Sequence, residues 1–141
     1  LELAIRQPKR LKKIIAFGAN SHPSGVKPNV TENSRFREFL TRANADYLAM
    51  SPEPNRWSEF LKSITKMWAN EPNFSDLELQ NITVPTLVLG GQQEEAIYPE
   101  HIEELSKKIP NSKLIMMPET GHFAMLEKPE KFNEIVRSFL K

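Results

Sequence analysis

Two short apolar runs near the C-terminus, VPTLVLGG (84–91) and KLIMMP (113–118), are each stopped by glycine or proline. Each is followed by an amphipathic helix with a proline in its first turn. The first helix is predicted over Tyr98–Ile109, with Ile102, Leu105 and Ile109 inward. The second starts at Pro129 and turns Phe132, Ile135, Val136, Phe139 and Leu140 to one face. Strand–helix–strand–helix with tight connections leaves little choice. Two strands joined through a helix run parallel, and a parallel sheet is covered by helices. A third strand is predicted at residues 14–18, IIAFG, between Lys13 and Asn20. The fold class is therefore α/β, with a parallel sheet of about three strands.

Between these strands the pattern is helical. Residues 20–32 are rich in Asn, Ser, Pro and Gly and read as a loop. Phe36, Phe39, Leu40 and Ala43 then fall at i, i+3, i+4, i+7, with Tyr47 one turn on. Ser51–Asn55, with two prolines, breaks that helix. Trp57, Phe60, Leu61, Ile64, Met67 and Trp68 repeat the period. Asn70–Asn73 is a second break, and ETGHFAMLEKP (119–129) reads as a loop. Aromatic stripes of this kind pack on the rest of the protein or line an apolar substrate pocket. Phe36, Trp57, Phe60 and Trp68 are the candidates for such a pocket.

Composition excludes several chemistries. Of 141 residues, 26% are charged, yet the net charge is only +1. That balance gives no electrostatic basis for binding nucleic acid or an anionic membrane. The basic cluster Lys9, Arg10, Lys12 and Lys13 reads as a solvated helix end. The absence of cysteine removes disulfides, thiolate catalysis and Cys-based zinc sites. It fits a cytoplasmic protein, the localisation expected here. His22 and His101 lack partners at ligand spacing and read as surface residues, so neither a metal nor a cofactor is expected. No apolar run approaches the roughly 20 residues that span a bilayer.

Functional groups in an open parallel sheet gather just past the C-terminal ends of its strands. Two loops leave such ends. GGQQEEAI (90–97) supplies Glu94 and Glu95, and PETGHFAML (118–126) supplies His122 after Gly121. A carboxylate can fix the tautomer and orientation of an imidazole, and the imidazole can then take a proton from a hydroxyl. Either glutamate could be the carboxylate.

TLVLGGQQEEAI, then a helix and strand, then PETGHFAMLEKPEKFNEIVRSFL, resembles the end of an α/β-hydrolase. LELAIRQPKRLKKIIAFGAN is similar to the end of the helix that follows that family's nucleophile elbow, with the next strand. The resemblance implies His122 as the base and Glu94 as the acid of a Ser-His-acid triad, with Glu95 as the fallback. Glu94 stands where the family usually has Asp, and Gln92 where a further acidic residue is common. It also implies a division into core (1–21), helical cap (22–82) and C-terminal core (83–141). The expected activity of the parent protein is ester or C–C bond hydrolysis of a small-molecule substrate.

The family's Gly-x-Ser-x-Gly elbow is absent from the 141 residues. The resemblance places it just upstream of Leu1. The expectation is a C-terminal fragment, inactive alone, whose strand at 14–18 pairs with a missing N-terminal half or with a second copy in a homodimer. The alternative is a non-catalytic relative that keeps the fold for binding or assembly, a reading that Gln92, Gln93 and the Asp-to-Glu difference support.

Overall fold

The computed structural model describes all 141 residues. Three strands, β1 (Ile14–Phe17), β2 (Thr86–Gly91) and β3 (Ser112–Met117), form one parallel sheet in the order β1-β2-β3. Seven helices accompany them: α1 (Glu2–Arg6), α2 (Ser34–Met50), α3 (Trp57–Trp68), α4 (Asp76–Gln80), α5 (Pro99–Lys108), α6 (Ala124–Glu127) and α7 (Pro129–Leu140). None is long and apolar enough to cross a membrane.

The central strand explains the sheet. β2 pairs with β1 through Ile14 opposite Thr86, and with β3 through Thr86 opposite Ser112. All six of its residues are buried. A parallel strand covered on both faces carries a continuous apolar run, as TLVLGG does. On one face Val88 joins the core that holds Ile102 and Leu105 of α5, Ile109, Leu79 and Ile82. On the other, Leu87 and Leu89 pack with Met117, Ala124 and the α7 residues Phe132, Ile135 and Phe139. The partial α/β sheet predicted from the sequence is thus the architecture of the molecule.

Two short helices are not among the elements predicted from the sequence. In α4, Ser75 Oγ accepts the Glu78 N–H at 3.3 Å and Glu78 Oε2 accepts the Ser75 N–H at 2.8 Å. This reciprocal capping box fixes a five-residue helix too short to show a period. It delivers Leu79, fully buried, to the core. The residues read as a loop after β3 include α6, a single turn carrying Glu127.

The N-terminus of α2 is capped by Asn33, whose Oδ1 accepts the Arg35 and Phe36 N–H groups at 2.9 and 3.3 Å. Phe36 is the one buried residue of α2, and α3 has none. The aromatic stripes of the two helices meet each other instead. Tyr47 lies 5.2 Å from Phe60 and 5.4 Å from Trp57 between ring centroids.

Candidate active site

The β2–β3 ladder runs on past the strand ends. The Gln92 N–H donates to Met117 O at 3.0 Å, and the Gln93 N–H to Thr120 O at 2.8 Å. The buried Thr120 hydroxyl donates to Met117 O at 3.1 Å. The loops bearing the glutamates and His122 therefore leave the sheet side by side.

Glu94 follows Gln93 in the loop after β2. Its side chain is wholly buried, and Oε1 lies 2.7 Å from His122 Nδ1. The same oxygen accepts the N–H groups of Ala96 at 2.9 Å and Ile97 at 3.2 Å. Oε2 is buried without a partner. The two amides hold the carboxylate where it meets the ring. A carboxylate only accepts, so Nδ1 carries the hydrogen and Nε2 keeps its lone pair. The arrangement can orient the imidazole and stabilise the cation it becomes on taking a proton.

Glu95 does different work. Its Oε2 accepts the backbone N–H of His122 at 2.6 Å, so it meets the main chain and leaves the ring to Glu94. A Cβ on Gly121 would run into the Glu95 carboxylate and displace it from the His122 amide.

The end of β1 closes the site. Gly18 has a φ of +52°, and a Cβ there would lie 2.8 Å from His122 Cε1. The Phe17 ring faces the imidazole at 6.3 Å between centroids with 29° between planes. All three strand ends thus reach His122. The sequence marks Gly18 only as a glycine ending an apolar strand. Lys27 is not marked at all. Its Nζ donates to the Glu94 carbonyl at 2.6 Å, from a loop tied to the acid turn by the antiparallel bridge Val26–Ile97.

A cavity of about 540 Å³ opens at His122, within the usual range for small-molecule sites. Of the four aromatic residues predicted for a pocket, Phe36 and Trp68 line it. Trp57 and Phe60 instead line a separate groove of about 640 Å³ between α2 and α3, and Trp68 borders both. No group of three or more His, Asp or Glu side chains converges to hold a metal ion.

The other two histidines differ from each other. His22 is exposed and caps a turn by accepting the Ser24 N–H at 3.0 Å. His101, expected at the surface, is only partly exposed, and its Nε2 accepts the Ser21 N–H at 3.1 Å. Burial of its ring lowers its pKa, and the nearby Glu104 opposes that shift.

A family model described as the alpha/beta hydrolase fold matches residues 30–129. The chain belongs to the α/β-hydrolase fold family. It is 24% identical to the mouse (Mus musculus) serine hydrolase BPHL over 98% of this chain and 49% of that protein. It is 29% identical to the pimeloyl-[acyl-carrier protein] methyl ester esterase of Nitrosospira multiformis over 94% of this chain and 60% of the esterase. In structure it superposes on a meta-cleavage product hydrolase from Pseudomonas fluorescens IP01 with a TM-score of 0.76 at 18% identity. That match covers 99% of this α/β-hydrolase chain and 59% of the other. The chain spans about half the length of the BPHL protein and three-fifths of the esterase.

Proposed function

We propose that these residues supply the base and acid of a serine hydrolase that cleaves an ester or a carbon–carbon bond. The observation that carries this reading is the 2.7 Å contact between His122 Nδ1 and the buried Glu94 Oε1, beside the cavity that His122 lines. His122 Nε2 takes the proton of an attacking serine hydroxyl, Glu94 offsets the ring's positive charge, and the proton then passes to the leaving group. An esterase among the similar proteins supports the ester reading.

The serine is not among the 141 residues. Ser21 is buried against His101, Ser24 is hydrogen-bonded to His22, and no serine sits in Gly-x-Ser-x-Gly. In this reading the nucleophile and the oxyanion hole belong to an N-terminal half, and this chain by itself hydrolyses nothing. The segment 22–82 acts as a cap over the cavity, with Phe36 and Trp68 against an apolar part of the substrate. β1, paired only with β2, takes a strand of the N-terminal half on its free edge, or of a second copy. A monomer at micromolar concentration in sedimentation would remove the second copy.

The experiment is hydrolysis of an activated ester. The 141-residue chain gives no turnover. The chain assembled with an N-terminal half bearing the elbow gives turnover that His122→Ala abolishes. Turnover by the chain alone, or activity in the assembly that survives His122→Ala, contradicts the proposal. A binding module in place of an enzyme remains the second reading, favoured by Glu94 standing where the family usually has Asp. Such a module would hold apolar ligands in the cavity and stay inert in the assembly.

A further inference from the structure

Arg35, the second residue of α2, reaches two carboxylates at once. Its Nη1 lies 3.0 Å from Glu95 Oε1 and 2.9 Å from Glu127 Oε1. The other oxygens of those carboxylates point at the turn that carries His122. Glu95 Oε2 accepts the His122 N–H at 2.6 Å, and Glu127 Oε2 accepts the Gly121 N–H at 2.9 Å. Each glutamate is therefore a two-ended strap, with the guanidinium on one oxygen and the backbone of the histidine turn on the other. The straps come from separate places, the loop after β2 and the end of α6.

Charge explains why the arginine matters. Two carboxylates this close repel each other unless a cation lies between them. The Glu95 and Glu127 side chains are 13% and 23% exposed, so water screens them in part, while Arg35 itself is half exposed at 52%. With Arg35 removed, the repulsion drives the glutamates apart and withdraws the acceptors from consecutive amides of the turn. A planar guanidinium suits this bridging better than an ammonium, which offers a point charge on a more flexible stem.

We propose that Arg35 is a positioning residue that couples the seating of α2 to the orientation of His122. With α2 seated, both straps are tight and the ring stays on Glu94. With α2 lifted, the straps release and the ring is free to leave. The proposal rests on His122 as the base, but its test needs no turnover, so it fails or stands separately from the hydrolase reading.

The test is amide hydrogen exchange by NMR on the 141-residue chain, with the His122 Nδ1 proton as a second readout. Arg35→Gln is expected to speed exchange at Gly121 and His122 by about tenfold or more and to broaden the Nδ1 proton. Val88 and Leu89 of β2 keep their wild-type rates. Arg35→Lys falls between the two, a graded rescue that a general loss of stability would not produce. Glu127→Ala, which removes the acceptor altogether, speeds exchange at Gly121 and leaves His122 protected, because Arg35 then serves Glu95 alone. Unchanged exchange at both turn amides in Arg35→Gln overturns the proposal. So does an equal rise across β2, which would make Arg35 a contributor to global stability. Equal rises at Gly121 and His122 in Glu127→Ala would overturn the picture of two separate straps.

Discussion

Glu94 Oε1 and His122 Nδ1 lie 2.7 Å apart across 28 residues of sequence, and the oxygen that meets the ring also accepts the Ala96 and Ile97 amides. One carboxylate oxygen thus satisfies three donors in a buried place. Glu94→Ala leaves all three without an acceptor. The expected loss is about 2–4 kcal/mol of stability, since each buried donor left unpaired costs about 1–3 kcal/mol and the cavity relaxes in part. Glu94→Gln keeps an accepting oxygen and should lose less. Urea denaturation of the two variants measures both, and a Glu94→Ala chain as stable as the wild type would contradict the assignment.

Gly18 tests the other side of the ring. Alanine there must adopt a φ of +52° and place its Cβ 2.8 Å from His122 Cε1. The backbone strain alone costs about 1–2 kcal/mol. The clash adds to this and is relieved only if the imidazole moves away from Glu94. Gly18→Ala should lower the urea midpoint and also remove the hydrogen-bonded Nδ1 proton from the NMR spectrum. A lowered midpoint with that proton unchanged would mean the ring does not lean on Gly18.

The parts legible in the sequence are those governed by local pattern. The buried run TLVLGG, the prolines opening α5 and α7 and the period of α2 and α3 each fix an element without knowledge of its neighbours. The location of the site followed from the strand ends. The choice between Glu94 and Glu95 did not, because adjacent loop residues differ only in direction. That direction is set by the ties from Gln92 and Gln93 to the loop after β3. The four aromatics fall on continuous helical stripes, yet only Phe36 and Trp68 reach the His122 cavity. The division depends on how α2 and α3 meet, which no local period encodes. Arg35 and Glu127 are 92 residues apart, and nothing in either segment announces the other.

Trp68 borders both the His122 cavity and the groove between α2 and α3, with its ring edge-on to Phe36 at 6.3 Å. If the chain acts in the proposed hydrolase assembly, Trp68→Ala should join the two spaces and admit longer apolar substrates. The preference for a long over a short acyl ester, as a ratio of kcat/KM, should rise by about tenfold, the scale on which apolar pockets discriminate chain length. Trp57→Ala, which touches only the groove, should leave that ratio unchanged. Equal effects of the two substitutions would mean that the tryptophans do not divide the spaces in this way.

His101 should make the chain's stability depend on mild acid. Its Nε2 accepts the Ser21 N–H at 3.1 Å, so the folded state needs that nitrogen unprotonated. Burial lowers the ring's pKa, Lys108 and His22 add to the lowering, and Glu104 partly offsets it. In the unfolded chain the ring titrates near its ordinary value of about 6.5. Between the depressed folded pKa and that value the unfolded chain binds more protons than the folded one, so stability rises with pH. The contribution is fully present above about 6.5 and is lost as pH falls through the folded pKa. Urea midpoints at pH 7.5 and 5.5 should therefore fall more on acidification for the wild type than for His101→Gln. Glutamine keeps an acceptor for Ser21 but cannot be protonated in this range. An equal fall in both proteins would place the acid sensitivity elsewhere.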